Sequence, residues 1–198
     1  VKGGGSVLYG SEAFGGTINV ITKERYKNTV RVAAGDRGQR DYAVTIDLGK
    51  VGLAVSRSYY GKTGNLTDAM GRLTINGTAT PYMVGFGKSR KDHVNLTYKI
   101  NDTMRLSYMY SGKNHSIHYN DRAGKLLKLF NYDDDEHFAN FSYQDKQGWS
   151  GSAYYNYRSI FNPDYFIVNP GTVEWERSHH RQYGTEIKKV WKNDFSTT

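Results

Sequence analysis

The chain of 198 residues contains no cysteine. A disulfide framework is therefore excluded, and an oxidising compartment holds no risk of stray pairing. Proline is scarce: of its 3 residues, Pro163 and Pro170 fall in one stretch. No apolar run approaches the roughly 20 residues that a membrane helix needs, which excludes helical spans but not membrane strands. Apolar residues make up 37%, below the ~45–50% usual for a soluble domain. No nucleophile elbow, zinc helix or legible nucleophile–base–orienter set is present, so the chain reads as no enzyme. The formal charge is +8. Its basic residues are scattered rather than run together, which argues against a nucleic-acid partner.

Tyrosine and glycine are abundant, with 17 and 22 residues. From about residue 26 the polarity alternates in segments of roughly ten residues, the period of a half-buried strand. Tyr42, Val44, Ile46 and Leu48 alternate with Asp41, Ala43, Thr45 and Asp47. The same pattern returns at Val51–Val55, Val94–Ile100, Met104–Tyr110, Ala139–Tyr143, Trp149–Tyr157 and Tyr183–Ile187. Tight turns are expected at Gly49-Lys50, Asn101-Asp102 and Lys146-Gln147, and a ninth strand is expected to open after Lys192-Asn193-Asp194. Between the tight turns lie stretches without alternation, at 61–90, 113–135 and 159–178. Short turns on one side and long loops on the other mark a transmembrane barrel. The expected fold is all-β: an antiparallel transmembrane β-barrel, incomplete at about eight or nine strands. A soluble β-sandwich is the competing architecture. Eight strands would close only with the interior filled by side chains, so the chain reads as part of something larger.

The first 23 residues are different in kind. Gly3, Ser6, Leu8, Tyr9, Gly10, Ala13, Gly15, Gly16, Ile18, Asn19, Ile21, Thr22 and Lys23 form a glycine-dense run ending in a short apolar strand. Such glycines permit sharp turns and close backbone approach. Their spacing is wrong for a nucleotide loop, and no helix follows. The stretch resembles the end of the plug domain of TonB-dependent outer-membrane receptors. It departs from that pattern at Lys2, usually Arg, and at Gly4, usually Pro. The resemblance implies residues 1–25 as the end of a plug and 26–198 as the first part of a 22-stranded barrel, with both chain ends internal to a longer protein. It also implies a monomer in the outer membrane of a Gram-negative-type bacterium. TonB would engage a region ahead of this stretch. The barrel would meet outer-membrane lipid and lipopolysaccharide, and a scarce nutrient such as a ferric siderophore, haem or cobalamin would be the ligand. Barrel enzymes of the lipase type and adhesin or docking barrels without transport are the alternatives.

Polar residues opposite the apolar row, among them Arg31, Thr45, Asn95, Thr97, Asn156, Arg158 and Glu186, are expected to line a wet interior or meet a plug. Tyr60, Tyr82, Tyr119, Tyr132 and Tyr165, with His115 and His118, are the candidates for ligand contact in the loops. Aromatic girdle positions and ordinary loop histidines are the plainer reading of the same residues. Asp133, Asp134, Asp135 and Glu136 form the densest acidic run. It reads as a solvated acidic loop or, alternatively, as a calcium site, since calcium takes six to eight oxygens. It lacks the EF-hand spacing. No other cofactor is expected.

Overall fold

The computed structural model describes residues 27–65, 71–75, 77–167 and 173–191. The plug-like residues Gly3 to Asn19 lie outside the described residues, as does the expected ninth strand.

The described chain is built of β-strands: β1 (Thr29–Ala34), β2 (Arg40–Asp47), β3 (Val51–Tyr60), β4 (Thr63–Asn65), β5 (Gly71–Ile75), β6 (Thr78–Phe86), β7 (Ser89–Lys99), β8 (Met104–Asn120), β9 (Leu126–Gln144), β10 (Trp149–Ile167) and β11 (Val173–Lys189). A single 3-10 turn, Asp36–Gly38, joins β1 to β2. Eight strands form one antiparallel meander, β1-β2-β3-β7-β8-β9-β10-β11. The sheet is open, and β1 and β11 are its free edges among the described residues. Among the described residues no second layer packs on it. Leu127 is the one buried apolar side chain among the described residues. The soluble sandwich allowed by the alternation is therefore not what these residues form, because a sandwich buries a core between two sheets.

One end of the sheet carries only tight turns. Gly49 opens the β2–β3 hairpin at φ +79°, and Leu48 N–H donates to Val51 O at 2.8 Å. Asn101 Oδ1 accepts from the amides of Thr103 and Met104 at 2.9 and 2.8 Å. Asp145 Oδ1 accepts from Gln147 and Trp149, both at 2.9 Å. These side chains mimic backbone turns, which is why the sequence placed these turns correctly.

The other end corrects the sequence reading. Residues 113–135 are not a loop. Strand β8 continues to Asn120 and β9 starts at Leu126. Only 121–125 turn, with Asp121 Oδ1 accepting from Lys125 N–H at 2.8 Å and Gly124 at φ +84°. Likewise β10 continues to Ile167 and β11 starts at Val173, inside the expected loop at 159–178. A register shift between Asn162 and Tyr165 marks the position of Pro163, which has no amide proton for the ladder. The stretch at 61–90 holds three strands. In it, β6 pairs with β4 and β5 and adds itself to the upper part of β8, with Met83 opposite Asn120 and Phe86 opposite Ile117.

The register fixes two faces, because directly opposed residues in an antiparallel sheet point the same way. One row reads Ile46–Leu53–Leu96–Tyr108–Ala139–Tyr155–Tyr183 from β2 to β11. The row beside it on the same face reads Val51–Tyr98–Leu106–Phe141–Ala153–Thr185. The opposite face carries Thr45–Ala54–Asn95–Met109–Phe138–Asn156–Gln182 and Arg31–Ala43–Ser56–His93–Ser111–Glu136–Arg158–His180. The division between apolar and polar rows expected from alternation therefore holds across eight strands.

Candidate functional site

Two features stand out on this scaffold: a bounded apolar belt on one face, and an aromatic cluster at the extended end of the other.

The belt ends at the tight-turn side in Trp149, Trp191, Tyr143 and Lys189. The Lys189 ammonium lies 4.9 Å from the Trp149 ring centroid and 5.4 Å from that of Trp191. On the extended side it ends in tyrosines whose hydroxyls find polar partners. Tyr108 Oη and His137 Nδ1 are 2.8 Å apart, and Tyr157 Oη and His179 Nδ1 are 2.9 Å apart. Tyr110 Oη donates to Asp135 at 2.7 Å. Beyond them Arg57 and Arg90 converge on Asp92. From Trp149 to Tyr157 is about 26 Å along the strand at ~3.3 Å per residue. At the ~40° tilt of barrel strands this is ~20 Å of height, and a membrane barrel's apolar belt is ~25 Å tall. The belt also slides across the sheet. On β1 and β2 it includes Val32 and Tyr42, whose row holds Arg57, Asp92 and Asp135 further on. On β9 to β11 it includes Tyr143, Gly151 and Ile187, toward the tight-turn end. A level belt drawn across tilted strands gives this slide.

The polar face is knitted by its own side chains. Arg158 donates through Nε and Nη2 to both oxygens of Asp134, at 2.9 and 2.6 Å. Hydrogen bonding to Arg158 holds the Asp134 carboxyl below its usual range. Asn156 donates to Glu136 at 3.2 Å. Nearer the tight turns, Lys99, Asp102, Arg105, Ser142, Ser152 and Glu186 line a polar hollow of about 510 Å³. There Lys99 lies 2.8 Å from Asp102 and lowers its pKa.

The acidic run sits in strand β9 rather than a loop, and the strand period splits it. Asp133 and Asp135 share one face, Asp134 and Glu136 the other. Each has its own protein partner: Asn114 for Asp133, Arg158 for Asp134, Tyr110 for Asp135 and Asn156 for Glu136. Among the described residues no group of three or more His, Cys, Asp or Glu side chains converges as a metal would require. The calcium expectation thus finds no converging carboxylates, because it assumed a loop where the chain is extended.

Four of the seven ligand candidates come together on the polar face, well above the belt. The His115 and Tyr132 rings stack at 4.9 Å, and Tyr82 meets Tyr119 edge-on at 5.2 Å. Phe130 links them, 5.9 Å from both Tyr119 and Tyr132. The Lys128 ammonium stands 4.3 Å from the Phe130 centroid. Burial, then Lys113, pushes the His115 pKa down, and its buried Nδ1 has no hydrogen-bond partner among the described residues. His118 falls on the opposite face, 3.0 Å from Ser116 Oγ. Tyr60 ends β3, exposed, with its backbone opposite Ser89. Tyr165 pairs through its backbone with Phe130. Sequence reasoning missed Phe130 and Lys128. The signal was the alternation Lys128-Phe130-Tyr132, overlooked because the stretch was taken for loop.

No family model matches the chain, and no curated protein matches it. The described residues define a class: a single-layer, open, antiparallel sheet with one bounded apolar face and one polar face.

Proposed function

We propose that this chain is part of an outer-membrane β-barrel receptor of the TonB-dependent kind, which takes up a scarce nutrient by energised transport. The observation that carries the membrane reading is the bounded apolar belt. A single-layer sheet exposing such a belt to water would be an aggregation surface. In a bilayer the same belt meets hydrocarbon, and its Trp and Tyr rims sit at the headgroups. In this reading the polar face lines the interior. The tight turns are periplasmic and the tall hairpins stand outside the cell. The resemblance of Gly3 to Lys23 to the end of a receptor plug supports the finer assignment.

The mechanism follows from the two faces. A ligand arriving from outside meets Tyr82, Tyr119, Phe130 and Tyr132 beside Lys128, a surface suited to a planar, partly anionic molecule. Capture there is an equilibrium step and breaks no bond. The plug closes the interior below, and the polar hollow around Lys99, Arg105 and Glu186 offers it hydrogen-bond partners. Displacing the plug requires work, which TonB supplies from the proton gradient. Neither an enzymatic step nor a resident cofactor is part of this proposal.

Uptake by cells expressing the protein from its native gene tests the reading, with ferric siderophores, haem and cobalamin offered in turn. Uptake of at least one should require TonB and the proton gradient, while surface binding should require neither. Uptake that persists without TonB would contradict the receptor assignment.

A further inference from the structure

We propose that the polar face carries a second ligand station below the aromatic cluster: a flat tile made of Phe138 and Tyr154, which takes the ring of an uncharged sugar. The inference rests on reading the polar face as a barrel interior. It goes beyond that reading by naming a ligand class that the upper cluster does not suit.

The tile consists of two exceptions to the polar pattern. One row of this face reads Asn95–Met109–Phe138–Asn156–Gln182, and the next reads Thr97–Ser107–Asn140–Tyr154–Gly184. Glycine at 184 gives the tile its shape. A Cβ added there would lie 2.7 Å from the Tyr154 ring. The ring therefore reclines across β11 over bare backbone. Phe138 follows it, with ring centroids 6.1 Å apart and planes differing by 25°. Two near-parallel rings thus turn a broad face to the interior, and both are only half-buried.

The border of the tile selects the ligand. Asn140 and Asn156 stand directly opposite the two ring-bearing residues, with Ser107 and Gln182 beyond them. Of these polar side chains only Asn156 is engaged among the described residues, donating to Glu136 at 3.2 Å. Amides and hydroxyls offer both donors and acceptors. From β7 to β11 neither row holds a charged side chain. The rows on either side carry both signs. Glu136 and Arg158 lie above, the latter on Asp134. Lys99, Arg105 and Glu186 lie below, with Lys99 2.8 Å from Asp102. An aromatic anion would find no cation of its own here. A wholly apolar ligand would strip water from the amides without replacing its hydrogen bonds. A pyranose ring meets both demands. Its C–H face is apolar and lies flat on aromatic rings, and its equatorial hydroxyls point outward toward the amides.

Saturation-transfer NMR tests this on the full-length protein, purified from its native membrane in a sugar-free detergent. Maltotriose, cellotriose and triacetylchitotriose are offered in turn, with trigalacturonate as the charged counterpart. At least one neutral trisaccharide should receive saturation on its ring C–H protons from aromatic protons. Trigalacturonate should bind about fivefold more weakly or worse, because its carboxylates gain no partner. Phe138→Leu should weaken binding about tenfold by removing half of the flat face. Gly184→Ala should do the same by lifting the Tyr154 ring, although it removes no contacting atom. Gln182→Ala should cost about fivefold, the worth of one hydrogen bond. Gln182 is exposed, so its variant keeps the test decisive should the ring variants fail to insert. No transfer to any neutral trisaccharide would overturn the station, and shielding of the tile from a water-soluble paramagnetic probe would then identify a chain segment as its cover. Transfer that survives Phe138→Leu and Gln182→Ala alike would place the sugar elsewhere and overturn it too. Equal binding of trigalacturonate would overturn the uncharged class. TonB-dependent uptake of another ligand without sugar binding sinks this inference only, whereas a protein that never inserts sinks the interior reading as well.

Discussion

The two halves of the tall strands obey different rules. Between the tight turns and the Tyr108–Tyr110–Tyr157 rim, one face is apolar and the other mainly polar, with Met109, Phe138 and Tyr154 among the exceptions on the polar face. Beyond that rim the same strands β8, β9 and β10 keep their ladder pairing but lose the alternation. In the membrane reading proposed above, the difference means that alternation records the two media on either side of a sheet, not the strand itself. Where one face meets apolar surroundings and the other meets polar ones, the period of two is written in the sequence. Where both faces meet water and neighbouring loops, Tyr, His, Lys and Asp serve on either side. Strand β9 has 19 residues, whereas a membrane crossing takes ~9–11. In the membrane reading proposed above, its half beyond the rim is a projecting ribbon, stabilised by cross-strand pairs such as Arg158–Asp134 and His115–Tyr132.

The sharpest break in the comparison should come from charge placed in the belt. Leu96→Lys should cost about 2–4 kcal/mol near the midplane and reduce assembled protein in the membrane. Thr97→Lys, its neighbour on the polar face, should cost about 1 kcal/mol or less. Heat-modifiable mobility of membrane fractions measures both, and equal losses would mean that the two faces do not differ.

Strain at the two ends should have separable consequences. Gly49 and Gly124 both have positive φ, and neither has an atom within 4 Å of an added Cβ. Replacing either by Val costs strain alone, of order 1–3 kcal/mol. Gly49→Val should lower the amount of inserted protein, because its turn sets the β2–β3 register. Gly124→Val should leave insertion unchanged and make the β8–β9 tip easier to cleave. Limited proteolysis of intact cells distinguishes the two.

The smallest effect concerns pH. Asp134 is held below its usual pKa by Arg158. A carboxylate lowered in the folded state contributes stability above its unfolded value, about 3.9. That contribution is lost as pH falls through the lower folded value. Protease resistance of the projecting ribbon should therefore weaken below about pH 4, and Arg158→Gln should blunt that dependence. Both side chains are partly exposed, so the pair contributes about 1 kcal/mol or less.

The legible part of the sequence follows the same division. The tight turns were readable because Gly49, Asn101 and Asp145 each satisfy a turn's geometry with their own chemistry. The belt was readable because Val44, Val55, Leu96 and Leu106 keep the apolar period of two on one face of the sheet. The ribbon from Lys113 to Asp135 was misread as a loop because Ser111 to Asn120 carries no apolar period. Its five-residue turn, Asp121-Arg122-Ala123-Gly124-Lys125, was the available signal. Of the ligand candidates, His115, Tyr82, Tyr119 and Tyr132 fell together because odd positions on β8 share a face. His118 did not, because its even position turns it the other way. Register, rather than residue type, decides that outcome, and register cannot be assigned across a stretch taken for loop.

The lack of native cysteine makes the central claim directly measurable. Single-cysteine variants at each position from Val94 to Lys99 can be spin-labelled in the bilayer-reconstituted protein, with no background thiol in this chain. Collision with oxygen, which concentrates in hydrocarbon, and with a water-soluble nickel chelate should alternate with a period of two. Val94, Leu96 and Tyr98 should favour oxygen, and Asn95, Thr97 and Lys99 the nickel chelate. Equal accessibility at all six positions, or the reverse alternation, would contradict a sheet with lipid on its apolar face.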